Sequence, residues 1–170
     1  MAAGDVKLAY GTSVDLDVTN LIAAAASATW VAGWESAVID NTANLYEDYL
    51  LSGLIKVLES GAVTAGEIRV YVFAMVSDTA YPDVMDGTES EPETWTTAGI
   101  RDAVAKFAAV IVNATTQAQI YPFGPVSVAN LFGGICPPKF SLFITQSTGQ
   151  NLGDVQVITT QGVYHNVAAS

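Results

Sequence analysis

A chain of 170 residues with 6 Lys and Arg against 17 Asp and Glu has a formal net charge of −11, and 14% of its residues are charged whereas 51% are hydrophobic. Nucleic-acid binding depends on neutralising phosphates with Lys and Arg, and an anionic membrane surface would repel the chain, so neither partner is expected. An average globular domain is about 25% charged, so we expect part of this apolar surface to be buried against other subunits.

Cysteine usage and the start of the chain bear on its compartment. The chain has one cysteine, Cys136, which excludes an internal disulfide and fits synthesis in a reducing cytoplasm. Residues 1–5 lack the basic and apolar regions of a secretion signal. The run of small residues at 22–28 is too short and too weakly apolar to cross a bilayer. We therefore expect a soluble protein.

Alternating apolar and polar residues predict antiparallel strands along most of the chain. Val14, Leu16 and Val18 alternate with Asp15 and Asp17, which predicts a half-buried strand with both aspartates facing outward. The same reasoning predicts further strands at 30–36, 46–58, 66–75, 107–113, 118–123, 140–145, 155–160 and 163–167.

The strand at 66–75 is the most informative, because it is apolar on both faces. Such a run needs cover on both sides, so this strand is predicted to be central in a two-layer β structure. A turn at 61–66 is predicted to join it to the strand at 46–58 as a hairpin.

A long acidic loop at 77–97 follows. It contains Pro82 and Pro92 and no Lys or Arg, and we expect it to be a solvated functional or mobile segment. Its six acidic residues between positions 78 and 93 are Asp78, Asp83, Asp86, Glu89, Glu91 and Glu93.

Two short helices are predicted among the strands. One spans 97–106 and begins at an N-cap provided by Thr96 or Thr97. The other is a helical turn at 126–132, stopped by the glycines at 133–134. Eight to ten short strands with turn signals every 8–12 residues are typical of sandwiches and barrels. We therefore predict an all-β, jelly-roll-like antiparallel β-sandwich at 13–170 with one or two short helices, preceded by an N-terminal arm at 1–12.

Few residues suggest catalysis. His165 has no nucleophile-elbow pattern to accompany it, and Cys136 has no neighbouring Cys or His for a zinc site. A surface histidine and a buried cysteine are expected instead. No catalytic, cofactor-binding or metal-binding residue is therefore predicted.

Several pairs of acidic residues are candidate catalytic or calcium-binding groups. Asp15 and Asp17, and Glu47 and Asp48, are the pairs that a glycosidase would need in a cleft. Because Asp15 and Asp17 alternate outward, a solvated face is the expected role. Asp83 and Asp86, followed by Gly87, weakly resemble a calcium loop, but the ligand number and spacing of an EF-hand are missing.

Aromatic residues leave a sugar-binding alternative open. Trp30 and Trp34 are predicted to lie on the same side of a strand, and Trp95 follows the acidic loop. Exposed tryptophans could stack on sugar rings, as in a lectin-like module, whereas core packing is the commoner role.

Several short segments together resemble a known protein family. They are 7–12 (KLAYGT), 31–36 (VAGWES), 48–53 (DYLLSG), 66–72 (GEIRVYV), 81–84 (YPDV), 123–125 (FGP), 131–134 (LFGG) and 148–149 (TG). The chain resembles the small structural proteins of tailed-bacteriophage virions, specifically capsid decoration (cement) proteins. The resemblance spans most of the chain and includes no catalytic motif. It implies a jelly-roll-like fold, trimers on the outer capsid surface, the major capsid protein as partner, and no catalysis or cofactor.

We therefore expect a non-enzymatic bacteriophage virion protein that is made in the host bacterial cytoplasm, binds the outer surface of the assembled capsid and stabilises it. One alternative is a carbohydrate-binding or host-recognition module on the tail or capsid. Another is a small glycoside-active enzyme, which would need two carboxylates facing each other across a concave sheet.

Overall fold

The computed structural model describes residues 6–57, 65–77, 79–88, 90–113 and 118–167. Within these ranges the chain forms ten strands, two short α-helices and a 3₁₀ turn. In chain order the strands and α-helices are β1 (Val6–Asp15), β2 (Ala32–Glu35), β3 (Ile39–Asp40), β4 (Asp48–Val57), β5 (Gly66–Ala74), β6 (Glu91–Thr94), α1 (Ala98–Val104), β7 (Ala105–Asn113), β8 (Ile120–Ser127), α2 (Val128–Leu131), β9 (Lys139–Gln146) and β10 (Leu152–Val167). None of the described helices is long and apolar enough to cross a membrane.

The strands form two antiparallel sheets. The four-stranded sheet has the order β1-β10-β4-β8, and the six-stranded sheet has the order β6-β2-β9-β5-β7 with β3 beside β9. The partners are nested along the chain, because β1 pairs with β10, β2 with β9, β4 with β8 and β5 with β7. An antiparallel ribbon of this kind, wrapped into two packed sheets, is a jelly roll. The predicted all-β, jelly-roll-like sandwich with short helices is confirmed.

The main core fills the space between the two sheets. Val70 and Val72 of β5 face Leu51 and Ile55 of β4 and Ile158 of β10 within one cluster, and all five are fully buried. Successive residues of a strand point to opposite faces, so alternate positions of each strand supply this cluster.

A second cluster, called here the outer core, covers the other face of the six-stranded sheet. Trp95 packs edge-to-face against Phe73 and Phe143, with ring centroids 5.5 and 5.8 Å apart. Tyr71 and Met85 complete the contact. Both faces of β5 are therefore buried, which confirms the prediction of a central strand covered on both sides.

The acidic loop at 77–97 was expected to lie free in solvent, and that prediction is wrong for its described part. It supplies β6, which pairs with the edge of β2, and it buries Met85 and Trp95 against the sheet. We call the described residues of this segment the cover. Asp78 and Glu89 lie outside the described residues. The prediction failed because Met85 and Trp95, the widely spaced apolar residues that face the sheet, are surrounded in the sequence by acidic residues.

The predicted hairpin between the strands at 46–58 and 66–75 is also wrong. β4 lies between β10 and β8, whereas β5 lies between β9 and β7 in the other sheet. The chain therefore passes from the four-stranded sheet to the six-stranded sheet after β4. It passes back after β7, because the next strand, β8, pairs with β4. Residues 61–64, where the turn was predicted, lie outside the described residues. Sequence neighbours usually pair, but a jelly roll repeatedly breaks this rule.

The last two predicted strands are one strand, β10. At its middle, Gly162 lies beneath the ring of Tyr46, and an added Cβ would be only 2.0 Å from a ring atom. This glycine therefore admits an aromatic side chain rather than ending the strand. Both predicted helices are confirmed, since Thr97 caps α1 by accepting a hydrogen bond from the Ile100 N–H, 3.2 Å away, and Ser127 caps α2.

Only the first two residues of the predicted strand at 14–18 lie in a strand, at the end of β1, and the rest of that prediction is wrong. β1 begins at Val6 and ends at Asp15, so residues 6–12 of the predicted arm lie in a strand that pairs with β10. Leu16 and Val18 pack against the main core as predicted, while Val14 is largely exposed.

Replacing Val70 by Asp is expected to unfold the protein. A carboxylate without a partner in the main core costs several kcal/mol, and a typical domain is stable by only about 5–15 kcal/mol. Val112→Asp is the matched control, because Val112 is 66% exposed and its substitution should change stability by about 0.5 kcal/mol or less. Urea unfolding followed by circular dichroism measures both. A Val70→Asp protein that melted cooperatively near the wild-type temperature would contradict this account of the core.

Candidate interaction surface on the four-stranded sheet

The outer face of the four-stranded sheet carries exposed apolar side chains. In β1, Val6, Leu8 and Tyr10 are 62%, 54% and 54% exposed. Tyr10 lies opposite Val163 of β10, and Leu8 lies opposite His165. Residues directly opposite each other in a pair share a face, so these side chains form one row on the side of the sheet that faces away from the core.

A groove of about 420 Å³ lies beside this row. Leu8 and Tyr10 form one wall, Val163 and Leu50 lie between the walls, and the start of α2 with Gly134 forms the other. We call this feature the groove. The two walls come from separate parts of the chain, so the groove exists only in the folded sandwich.

Two acidic residues border the groove. The Asp48 carboxylate accepts hydrogen bonds from the Ala129 and Tyr49 N–H groups, each 2.7 Å away, and so holds α2 against β4. Glu47 pairs with His165, whose Nδ1 lies 2.6 Å from a carboxylate oxygen. His165 therefore lies at the surface, as expected, with its ring hydrogen-bonded to Glu47.

The apolar surface continues around the end of the sandwich. Ile135, which follows Gly134, is 75% exposed, as is Leu45. Leu45 lines a second depression with Tyr46 and Cys136. Burial raises the pKa of the Cys136 thiol to about 11, so this cysteine is protonated at neutral pH and behaves as the small hydrophobic residue that was expected.

The tryptophans do not form a sugar-binding row. Trp34 and Trp95 are buried, and the Trp34 indole N–H donates to Ser90 Oγ at 3.0 Å. Trp30 precedes β2 with a φ of +61° and is half-buried, with the Arg69 guanidinium 3.9 Å from its ring centroid. Core packing is thus confirmed for Trp34 and Trp95, and the prediction that Trp30 and Trp34 share a strand is wrong.

Asp15 and Asp17 both lie at the surface and are hydrogen-bonded to threonines. Asp15 accepts from Thr159 Oγ1 at 2.8 Å, and Asp17, beyond the end of β1, accepts from Thr19. Hydrogen bonds from Thr19 lower the pKa of Asp17, and both aspartates are exposed. Each therefore stabilises a local turn or strand pair on a solvated face, as expected.

Asp83 and Asp86 have separate roles within the cover. Asp83 accepts hydrogen bonds from the N–H and hydroxyl of Thr96, each 2.7 Å away, and so closes the cover across 13 residues. Asp86 accepts from Thr88, and these hydrogen bonds lower its pKa. They do not form the calcium loop that their spacing weakly suggested.

A different acidic cluster was missed by the sequence. Carboxylate oxygens of Glu35, Asp86 and Glu91 lie within 4.8 Å of one another. Glu35, on the outer face of β2, is fully buried and accepts a hydrogen bond from the Gly87 N–H at 3.0 Å. Burial raises the pKa of Glu35 to about 7, and burial and the nearby Asp86 raise the pKa of Glu91. In the sequence, the only sign of this cluster was Glu35, an acidic residue next to Trp34 in a predicted strand. The burial of Glu35 depends on the cover, which the sequence pattern does not place there.

The chemistry of this cluster allows two states. Protonation of Glu35 leaves a neutral carboxyl that tolerates burial near Asp86. Three carboxylates are also oxygen ligands of the kind that Ca²⁺ and Mg²⁺ prefer, although such cations need further oxygens or water to complete their coordination. Among the described residues, this cluster is where a divalent cation would be held.

No protein-family model matches the chain, and no curated protein matches it.

Stability should fall as the pH rises through the range set by Glu35. The pKa of this group is 4.5 in the unfolded chain and about 7 in the folded chain, so between these values the folded state binds more protons. The contribution is full below pH 4.5 and is lost as the pH passes 7. Glu35→Gln should remove this dependence and raise stability at pH 8 by up to about 3 kcal/mol.

Urea unfolding at pH 5 and pH 8 measures the effect, with Glu93→Gln as a control from the same strand pair. An unchanged pH profile in Glu35→Gln would contradict the assignment. A melting temperature that rises with added calcium at pH 8 in the wild type, and not in Glu35→Gln, would show instead that the cluster holds a cation.

Proposed function

We propose that this protein is a non-enzymatic structural protein of a tailed-bacteriophage virion, a capsid decoration protein that binds the outer surface of the assembled shell. One observation carries the proposal. The outer core covers β5 and β9 on the outer face of the six-stranded sheet, whereas no described segment covers the outer face of the four-stranded sheet, where Leu8, Tyr10 and the groove are exposed. A contiguous exposed apolar patch marks an interaction site.

The distribution of charge supports an orientation on the shell. Asp83, Asp86, Glu91 and Glu93 belong to the cover, on the side of the sandwich opposite the groove. The groove faces the shell, and the acidic cover faces the solution. A net charge of −11 then opposes clumping between particles and keeps the protein away from the packaged DNA.

The fold and the resemblance of the short sequence segments favour the same interpretation. Jelly rolls occur in viral capsid proteins, although they also occur in lectins and a fold alone does not establish a function. Low charge density suits a protein that buries much of its surface. We propose that the copies form a homotrimer, so that several grooves engage neighbouring shell subunits together.

Stabilisation of the shell follows from mass action. A protein that binds the assembled state and not the free subunits lowers the free energy of the assembled state alone. Several weak contacts made by one oligomer also give an avidity that a single shell subunit cannot provide. The protein would therefore act as a mechanical and thermal cement with the major capsid protein as its partner.

Substituting Ile135 by Asp should weaken binding to expanded shells by about tenfold or more, because a charge would be placed in the apolar contact. Val84→Asp is the matched control, since Val84 is exposed on the cover and should tolerate the change. Co-sedimentation of each purified variant with shells lacking the protein measures the difference. If the two variants bind shells equally well, the surface at Ile135, beside the groove, is not in contact with the shell.

Shells that lack the protein should release DNA at a lower temperature than complete shells, and light scattering of the free protein should give a mass that is a multiple of three times 17.8 kDa. Dye-accessibility melting of particles measures the first property. Labelling of tail tips by the purified protein, or equal heat resistance of the two kinds of particle, would contradict the proposal. A monomeric mass would contradict the trimer alone.

A further inference from the structure

Among the described strands, five have a side without a neighbouring strand in their sheet, namely β1, β3, β6, β7 and β8. β3 is only two residues long, and two of the others carry features that prevent pairing with another chain. β6 is only four residues long and places Pro92 between Glu91 and Glu93. β8 contains Pro122 and Pro125, which have no N–H to donate. Short strands, prolines and charges are the usual means by which proteins protect an edge.

β7 is protected in another way. Its Ala108 is an extra residue in the pairing with β5, because Val70 lies opposite Ala109 while Tyr71 lies opposite Phe107. Such a bulge twists an edge strand. β7 also lies beside β8 of the other sheet, so its edge is flanked by a second strand.

β1 has a regular and unprotected segment at residues 6–10. These five residues lie opposite 163–167 of β10 one by one, and the bulge of β1 comes only after Tyr10. The segment has no proline and no acidic residue, and its single charge is Lys7. Side chains of the segment are exposed or half-exposed on both faces of the sheet. A row of unpaired backbone N–H and C=O groups with apolar neighbours is a template for a further strand.

We infer that two copies of this chain pair through residues 6–10 of β1, antiparallel and across a two-fold axis at Leu8. The charge pattern favours a second copy as the occupant. Most of the surface of a chain with a net charge of −11 repels another copy, but no carboxylate lies between Val6 and Val14. The pairing would bring together a stretch of each copy that carries no carboxylate.

The register follows from the faces of the strand. Opposed residues must share a face, so a two-fold axis can pass only through a residue that opposes itself. An axis at Lys7 would oppose two ammonium groups. An axis at Ala9 would place Lys7 against Gly11, which lies in the bulge, and would leave Val6 without a partner. An axis at Leu8 opposes Val6 with Tyr10 and pairs all five residues.

The result is one continuous sheet of eight strands that spans both copies. Val6, Leu8 and Tyr10 of each copy would lie side by side on the outer face, so the exposed apolar row would become continuous across the two copies. Leu8 and Tyr10 also form a wall of the groove, so the two grooves would lie side by side along the joined sheet. This contact is isologous and is distinct from the three-fold contact of the proposed trimer.

Disulfide cross-linking tests the register directly. In a Cys136→Ala background, Leu8→Cys places two thiols opposite each other, at Cα separations of about 4.5–5.5 Å that a disulfide accepts. Under mild oxidation this variant should form covalent dimers about tenfold faster, or more, than Val112→Cys on the β7 edge, because pairing raises the local thiol concentration. Ala9→Cys would form the covalent dimer instead if the two-fold axis passed through Ala9.

Each outcome is decisive in a denaturing, non-reducing gel. A dimer band selective for Leu8→Cys supports the inference, and a band selective for Ala9→Cys or Val112→Cys overturns it. Folding of each variant is checked by its circular dichroism spectrum. The covalent dimer is expected whether or not the free protein is a trimer. The gel therefore tests the β1 pairing separately from the proposed trimer and the proposed binding to shells.

Association in solution provides the second measurement. Leu8→Lys would oppose two ammonium groups on the axis, and sedimentation velocity should show about tenfold or more weakening of the contact, with Val112→Lys as the control. If the wild type associates and folded Leu8→Lys associates equally well, residues 6–10 are not the contact.

Discussion

The structure depends on burying β5 and β9 on both faces. A strand whose two faces are apolar cannot form the wall of a simple two-layer sandwich, because one face would meet water. Here the four-stranded sheet covers one face, and Trp95 and Met85 of the cover occupy the other. The need for this second layer explains why an acidic segment lies against the protein. It also explains why Glu35, on the covered face of β2, is buried despite its cost as an ion.

The same constraint makes the two outer surfaces different. The apolar side chains of β5 and β9 on the six-stranded side are buried in the outer core, and the acidic residues of the cover are turned towards solvent. Within the described part of the chain, no such segment covers the four-stranded sheet, so apolar positions in β1 and β10 remain exposed. The exposed apolar row of β1 and the acidic cover therefore lie on opposite sides of the described domain, an arrangement that would suit the proposed attachment to a larger assembly.

Local patterns predicted the elements well because side-chain periodicity is a local property. The strands at 66–75 and 140–145, the Thr97 cap and the helical turn before Gly133 all follow from neighbouring residues. Pairing is not local. The hairpin between β4 and β5 was predicted from adjacency, whereas the fold pairs β5 with β7 and β9.

The candidate site was predictable only in part. The low charge of the chain indicated a buried contact surface, but its location depends on which sheet receives the cover. The burial of Glu35 and the pairing of Glu47 with His165 depend on contacts between distant segments. No spacing in the sequence encodes such contacts, so patterns of residue type could not reveal them.

The pairing of β1 with β10 also affects the order of events during synthesis. Tyr10 and Val163 lie opposite each other although they are 153 positions apart in the chain. At about 5–20 residues per second, β1 leaves the ribosome roughly 8–30 s before its partner strand exists. A chain that stops before β10 lacks the strand between β1 and β4, and therefore lacks the groove. The groove therefore forms only after translation has passed β10, and incomplete chains could not use it for the proposed attachment.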